Sequence, residues 1–131
     1  MRKVVKFGGS SLASAEQFRK VGEIIRADES RRYVVPSAPG KRFSADTKVT
    51  DLLYQCYQAA EKGGAEFQAL LSEIKSRYQE IIDGLELSIS LEEDFGLIEE
   101  NFKKQIGEEY AASRGEFLNG KVMADYLGFE F

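Results

Sequence analysis

The sequence contains no histidine and one cysteine among its 131 residues, and both facts narrow the chemistry open to it. Without histidine, imidazole zinc sites and general acid–base catalysis by imidazole are excluded. Cys56 lies among the apolar positions of a predicted helix, where a buried inert thiol is more common than a nucleophile. A nucleophilic Cys56 would also lack the histidine that often activates a thiol. We therefore expect Cys56 to be a core residue.

Long apolar runs and basic clusters are also absent from the sequence. No apolar stretch approaches the roughly eighteen residues of a membrane-spanning helix, and the N-terminus has too little apolar length for a secretory signal. Eighteen basic and twenty-two acidic residues give a net charge of -4, with no basic block to follow a nucleic-acid backbone. We therefore expect a cytoplasmic protein that binds neither membranes nor nucleic acid.

The first 36 residues predict a strand, a helix and a second strand. Val4 to Phe7 has the composition of a short strand, and Ser14 opens a capping box whose helix continues to about Ala27. Tyr33 to Val35 forms the second strand, which Pro36 ends. A helix that joins two such strands favours a parallel sheet with a right-handed connection. The fold class predicted from this unit is α/β.

The remaining sequence predicts a surface loop at Ser37 to Thr47 and a helix-rich region after residue 50. Four helices are predicted in this region. One starts at Thr50 and stops at Gly63-Gly64, and the next runs from Phe67 to Gly84. The other two start at capping boxes: one runs from Ser90–Glu93 to Tyr110, and one from Ser113–Glu116 to Gly128. The alternating pattern of Phe129 to Phe131 is typical of a strand that is beginning. Since domains seldom end on an unpaired hydrophobic strand, we expect the chain to be the front part of a longer protein.

A glycine pair, Gly8 and Gly9, follows Lys6 at the end of the first strand. Glycines permit positive φ angles and a close approach to the backbone, and a turn from strand to helix is a common phosphate cradle. The spacing matches neither a P-loop, in which lysine follows the last glycine, nor G-x-G-x-x-G. By spacing alone, a turn without a ligand and a phosphate cradle are equally good interpretations. Lys6 favours the cradle because an ammonium there could neutralise charge in phosphoryl transfer, although an exposed strand-end lysine is the simpler alternative.

Three segments, taken in order, resemble the motifs of aspartokinases, which are members of the amino-acid-kinase superfamily. Lys6 to Ser11 (KFGGSS) is similar to their opening motif. Val34 to Ala38, followed by Val49 to Leu53, resembles their second strand, serine–alanine turn and threonine-bearing helix start. Ser113 to Glu116 resembles their serine-any-glycine-glutamate motif. Glutamate and acetylglutamate kinases share the first motif in looser form, whereas the three together indicate an aspartokinase.

The resemblance implies that residues 1–131 are the N-terminal segment of an amino-acid-kinase domain, a parallel-sheet sandwich. The implied reaction transfers the ATP γ-phosphate to the β-carboxylate of L-aspartate, giving 4-phospho-L-aspartate for lysine, threonine and methionine biosynthesis. Mg²⁺ would arrive with ATP, and the longer protein would be a homo-oligomer. The nucleotide-base-binding half, a later catalytic arginine and aspartate, and the regulatory domains lie outside this segment. We therefore expect weak or no activity from the segment alone.

The resemblance also implies roles for seven residues. The residues implied for ATP phosphate are Lys6, which is also the catalytic charge-balancing group, Gly8, Gly9 and Ser10. The residues implied for aspartate are Ser37, Thr50 and Glu116, of which Glu116 would take the substrate ammonium. A carboxylate acceptor is already a competent nucleophile, so positioning and charge neutralisation carry the catalysis and no base is needed.

Structural roles are the alternatives for several of these residues. Thr50 as an N-cap, and Ser113 with Glu116 as a capping box, need no ligand.

Acidic residues at positions 92 to 94 favour the helix dipole, so no metal site is predicted there. The loop Pro39 to Lys48 is longer than in many aspartokinases, and its basic residues either reach the site or are solvated.

Two other functions stay open from the sequence. One is a non-catalytic module that binds phosphate or a nucleotide and keeps only the glycine turn. The other is an oligomerisation unit built on the helical region from 51 to 110.

Overall fold

The computed structural model describes all residues from 1 to 131 and contains a two-stranded parallel sheet with five α-helices. The elements are β1 (Lys3–Phe7), a 3-10 turn (Gly9–Leu12), α1 (Ala15–Arg26), β2 (Arg31–Pro36), α2 (Val49–Ala60), α3 (Ala65–Gly84), α4 (Glu92–Lys103) and α5 (Glu108–Leu127). In the sheet Lys6 lies opposite Val35, and Phe7 lies opposite Pro36. This architecture confirms the predicted α/β class, the parallel strand–helix–strand unit and the helix-rich region after residue 50. None of the five helices combines the length and apolarity that a bilayer crossing requires.

The sheet is covered by helices on one face. Val5, Phe7 and Val34 pack against the core, whereas Val4 and Val35 are exposed on the other face. Because successive side chains of a strand point to opposite faces, this alternation follows directly from the sequence.

The core lies between the sheet and helices α1 to α5. Its largest fully buried side chains include Phe18, Phe67, Tyr78 and Phe102. Cys56 is also fully buried, and burial raises the pKa of its thiol to about 12. The sequence prediction of a core cysteine is therefore confirmed.

Cys56 is expected to resist thiol reagents in the folded protein. Its thiol is neutral at pH 8 and has no solvent contact, and the thiolate is the reacting species. We expect native Cys56 to react with a disulfide reagent at less than about 1% of its rate in urea, because reaction then requires opening of the core. Stopped-flow absorbance with and without urea measures both rates, and equal rates would show that α2 is not packed as described.

Helix α2 begins at Val49, two residues before the first helical residue expected with Thr50 as N-cap. Thr50 lies inside its first turn, Lys48 is the residue before the helix, and neither side chain caps it. The predicted N-cap role of Thr50 is therefore wrong. The physical reason lies at Val49, whose side chain is fully buried and whose backbone N–H donates to Pro39 O at 3.0 Å. These two contacts fix the start of the helix at Val49.

The helix predicted from Ser90 to Tyr110 ends early, at Lys103 of α4, and its last three residues belong to α5, which starts at Glu108. Gln105 and Gly107 have φ angles of 53° and 147°, which no helix accommodates. The Gln105 side chain donates to Phe102 O at 2.8 Å and to Tyr57 O at 3.0 Å, so it closes the end of α4. Ile106 is consequently 51% exposed and lies between the two helices, outside the core, although the predicted helix ran through it.

Two of the three predicted capping boxes are wrong. Ser113 lies inside α5, where its hydroxyl donates to Tyr110 O at 2.8 Å instead of capping a helix start. Helix α4 starts at Glu92 after Leu91, and Ser90 Oγ accepts from Glu92 N at 3.3 Å outside the capping-box pattern. At Ser14, one of the two hydrogen bonds of a capping box is present: Ser14 Oγ accepts from the backbone N–H of Gln17 at 3.4 Å.

The last residues also differ from the prediction. Gly128 ends α5 with a φ of 73°, as predicted for a helix stop. Phe129 then donates its N–H to Ala124 O at 2.9 Å, and the Phe131 ring packs edge-on against Phe117 with centroids 5.4 Å apart. The strand predicted for Phe129 to Phe131 is therefore absent, because these residues fold back onto α5.

Candidate active site

The carboxyl ends of both strands open onto one edge of the sheet. Gly8 follows β1 and Ser37 follows β2, and parallel strands place such residues side by side. The backbone N–H of Ser37 donates to Phe7 O at 3.1 Å and continues the pairing past the strands. Two loops therefore leave the sheet next to each other, as they do at ligand sites of open α/β sheets.

The glycine turn differs from the sequence expectation in the reason for its glycines. Neither Gly8 nor Gly9 has a positive φ. A Cβ on Gly9 would lie 3.0 Å from Ala38 O and 3.2 Å from Gly40 Cα, so Gly9 is required by close backbone approach. A Cβ on Gly8 would meet nothing within 4 Å, and Gly8 is exposed. The open side of the turn is therefore at Gly8, next to Lys6.

A second glycine, Gly40, closes the turn from the opposite loop. Its N–H donates to Gly9 O at 2.8 Å. A Cβ on Gly40 would lie 2.6 Å from Gly9 C and 2.8 Å from Ser10 N. The loops after β1 and β2 are therefore interlocked backbone to backbone, which fixes the direction of the peptide groups around Gly9.

Helix α5 packs against the loop after β2. A Cβ on Gly115 would lie 2.6 Å from Ala38 Cβ, so the glycine of the Ser113–Glu116 motif lets α5 approach the loop after β2. Tyr78 donates its hydroxyl to Gly115 O at 2.8 Å, and burial raises the pKa of Tyr78, which keeps it a donor. Asn119, fully buried on α5, donates its side-chain N–H to Ser37 O at 2.7 Å.

The motif residues that are predicted to bind ligand border this assembly. Lys6 is exposed and takes part in none of the ion pairs within the chain. Ser10 is exposed in the glycine turn. Thr50 is half-buried in the first turn of α2, whose first residue, Val49, donates its N–H to Pro39 O. The structure thus brings the first and second motifs into direct backbone contact.

Glu116 is exposed on α5 and lines two neighbouring cavities. The first, about 520 Å³, lies between the end of β2 and α5, and the second, about 400 Å³, includes Tyr54 of α2 and Ser113. Glu108 and Glu109 add carboxylates to the second cavity, which favours a cationic group there. Another cavity, about 680 Å³ between α3 and α4, is lined by none of the seven predicted residues.

Sequence reasoning missed Asn119 and Arg77 as parts of this region. Both side chains are buried and donate to backbone carbonyls of the loop after β2. A signal for Arg77 was available, because it lies three residues after Ile74 and next to Tyr78 on the apolar stripe of α3. A charged residue in such a stripe indicates a buried partner.

Gly115→Ala is expected to lower the free energy of unfolding by about 1 to 3 kcal/mol, since the new methyl group collides with Ala38 Cβ and touches Leu53. Urea unfolding followed by circular dichroism measures the change. The matched control is Gly120→Ala on the same helix, where the new methyl group meets only the ring of Phe131 at 3.0 Å. Equal stability of Gly115→Ala and the unaltered chain would contradict the tight contact.

Comparison with known proteins places this arrangement in a family. The model of the "Amino acid kinase family" matches residues 1–129. Aspartokinase 3 of Bacillus subtilis is 40% identical over 136 residues, covering 98% of this chain and 29% of that protein. The chloroplastic bifunctional aspartokinase/homoserine dehydrogenase of Daucus carota is 30% identical over 79 residues, covering 60% of this chain and 8% of that protein.

Solved structures agree with the sequence comparison. Clostridium acetobutylicum aspartate kinase has a TM-score of 0.90 and 44% identity over 98% of this chain and 29% of that protein. E. coli aspartokinase III, solved in complex with aspartate and ADP, shares the fold, with a TM-score of 0.73, 22% identity and the same coverage of both chains. This chain thus spans less than a third of the length of these relatives. With a family match from residue 1 to residue 129, the chain belongs to the amino acid kinase family.

Proposed function

We propose that residues 1–131 are the N-terminal segment of an aspartokinase, which transfers the γ-phosphate of ATP to the β-carboxylate of L-aspartate. The interlocked turns at Gly9 and Gly40 carry the proposal, because they leave a fixed backbone turn, open at Gly8, two residues after the exposed and unpaired Lys6. The similarity to two bacterial aspartokinases over 98% of the chain supports it. The rest of the kinase domain and any regulatory domains are outside this segment.

The phosphate side of the proposed site consists of Lys6, Gly8, Gly9 and Ser10. Lys6 supplies a positive charge against the charge that develops on the transferred phosphoryl group. The exposed Gly8 leaves room for the phosphate oxygens to approach the backbone, and the Ser10 hydroxyl is available as a donor. Since Mg²⁺ is usually held largely by substrate phosphates, we propose that it arrives with ATP.

The amino-acid side of the proposed site consists of Ser37, Thr50 and Glu116. Glu116 is exposed and lines both cavities, and its carboxylate suits the substrate ammonium. Ser37 lies at the start of the loop that Gly40 fixes to the glycine turn, and Thr50 lies in the first turn of α2, just after that loop. Their hydroxyls would serve as donors to a substrate carboxylate.

The proposal extends to the setting of the reaction. The product, 4-phospho-L-aspartate, serves lysine, threonine and methionine biosynthesis, so we place the enzyme in the cytoplasm. We propose that the longer protein is a homo-oligomer and binds neither membranes nor nucleic acid. E. coli aspartokinase III, which has the same fold, was solved with the amino acid and a nucleotide of the kind that this site would take.

A segment exchange tests the proposed function. Residues 1–131 replace the matching segment of Clostridium acetobutylicum aspartate kinase, which is 44% identical to this chain. We expect this chimera to release ADP from MgATP in the presence of L-aspartate, because the exchanged segment supplies the proposed phosphate and amino-acid residues while the host enzyme supplies the rest of the kinase domain. Coupled spectrophotometry with L-aspartate, L-glutamate and N-acetyl-L-glutamate measures the acceptor preference.

Two results would contradict the proposal. A folded chimera that binds MgATP but consumes none with any acceptor would favour a non-catalytic phosphate-binding module. A chimera that prefers glutamate or acetylglutamate would indicate a related amino-acid kinase. The matched control is the same chimera with Glu116→Gln, which we expect to need a much higher aspartate concentration because the ammonium loses its carboxylate.

A further inference from the structure

Arg77 on α3 is a charged side chain with only 3% exposure. Its guanidinium donates from Nη2 to Gly40 O at 2.6 Å and from Nη1 to Thr47 O at 2.7 Å. The two carbonyls stand near opposite ends of the loop between β2 and α2. The buried guanidinium of Arg77 on α3 therefore holds both ends of this loop.

Asp46 supplies the charge that compensates Arg77. Its carboxylate lies 3.6 Å from Arg77 Nη1 and also accepts from Arg42 Nε at 2.7 Å. Hydrogen bonds from Arg42 lower the pKa of Asp46, which keeps the carboxylate ionised at neutral pH. Arg42 in turn pairs with Glu80 on α3 at 2.8 Å. Since a buried charge is costly without partners, this arrangement stabilises only one placement of the loop.

Gly40 connects this charged cluster to the glycine turn. Its carbonyl accepts from Arg77, while its N–H donates to Gly9 O at 2.8 Å. Its Cα packs so closely on Gly9 and Ser10 that no side chain fits between them. A shift of Gly40 would therefore move the backbone of the glycine turn.

We propose that Arg77 is a positioning residue for the phosphate-binding turn, acting through Gly40. Arg77 holds the Gly40 carbonyl, which keeps the Gly40 N–H on Gly9 O and fixes the peptide groups of the turn. The inference rests on the proposed function only for the identity of the ligand, because the contacts themselves lie within this chain. Arg77 touches no substrate in this scheme.

Amide hydrogen exchange, followed by NMR in the 131-residue chain, tests the positioning. We expect Arg77→Met to speed exchange of the Gly40 N–H by about tenfold or more relative to the core helical amide of Leu71, because a charged donor to its loop is lost. The matched control is Lys75→Met, which removes an exposed cation from the same helix. A purely structural role of Arg77 would accelerate both amides equally and would overturn the proposal.

Two further measurements keep the proposal testable if Arg77→Met does not fold. Arg77→Lys keeps the charge beside Asp46 but offers one nitrogen in place of the two that donate to Thr47 O and Gly40 O, so we expect a partial, selective loss of protection at Gly40. In the unaltered chain, the Gly40 N–H must be protected from exchange. An unprotected Gly40 in the unaltered chain, or full protection in Arg77→Lys, would overturn the proposal.

Titration with inorganic triphosphate separates this inference from the proposed function. In the unaltered chain we expect shifts of the Gly9 and Ser10 amide signals, and in Arg77→Met a Kd raised by about tenfold. An unchanged Kd would overturn the role of Arg77 at the phosphate site. If the unaltered chain shows no shifts, the phosphate assignment fails, while the selective exchange at Gly40 still decides whether Arg77 positions the turn.

Discussion

Replacing Lys6 by alanine in the chimera is expected to lower kcat about 10² to 10³-fold, the usual cost of removing one group that stabilises transition-state charge. The KM for L-aspartate should change little, because the amino-acid side of the site is formed by other residues. Steady-state ADP release measures both constants. Lys6 makes no ion pair in the chain, so its ammonium is available to a ligand.

Lys3→Ala is the matched control for Lys6→Ala. Lys3 lies at the other end of β1 and pairs with Asp28 at 2.9 Å on the surface. Such an exposed pair contributes at most about 1 kcal/mol to stability, so we expect nearly unchanged kcat. An equal loss of kcat in both variants would show that β1 is merely damaged and would remove the catalytic role of Lys6.

Gly40→Ala is expected to lower the free energy of unfolding by about 2 to 3 kcal/mol, at the upper end of overpacking costs. The new methyl group would lie 2.6 Å from Gly9 C and 2.8 Å from Ser10 N. Because these are backbone atoms, no side-chain rotation relieves the collision. Urea unfolding measures the loss, and we expect the same variant to reduce the chimera's kcat because the glycine turn is displaced.

The control for Gly40→Ala is Gly96→Ala, on the exposed side of α4, where a new Cβ meets nothing within 4 Å. Alanine should raise the free energy of unfolding there by about 0.5 to 1 kcal/mol, because glycine is a poor helix former. A Gly40→Ala protein as stable as the unaltered chain would contradict the interlocked turns.

Local patterns were sufficient to predict the sheet and the existence of most helices. The strand–helix–strand unit depends on apolar periodicity and on Ser14, and both act over a few residues. The capping boxes at Ser90 and Ser113 were wrong because the same residue types also occur elsewhere in and around helices. At Ser113 the continuation of α5 is decided by burial of Gly115 and Leu118 against other segments, which a four-residue pattern does not contain.

The site was predicted less completely than the fold. The motif residues were recognisable from their resemblance to aspartokinases, but the reason for Gly9 was not. It depends on a loop almost thirty residues later, which approaches Gly9 too closely for a side chain. Arg77 was missed for a related reason, since a charged residue on a helix is usually solvated and its partner Asp46 lies on a distant loop.

Trapping of the acyl phosphate with hydroxylamine tests the central claim most directly. The chimera is incubated with MgATP, hydroxylamine and either L-aspartate or L-glutamate, with the Lys6→Ala chimera in parallel. Our account predicts aspartyl hydroxamate from the unaltered chimera, little product with glutamate, and loss of the product in Lys6→Ala. Undiminished aspartyl hydroxamate from the Lys6→Ala chimera would contradict the claim that the glycine turn and Lys6 handle the transferred phosphoryl group.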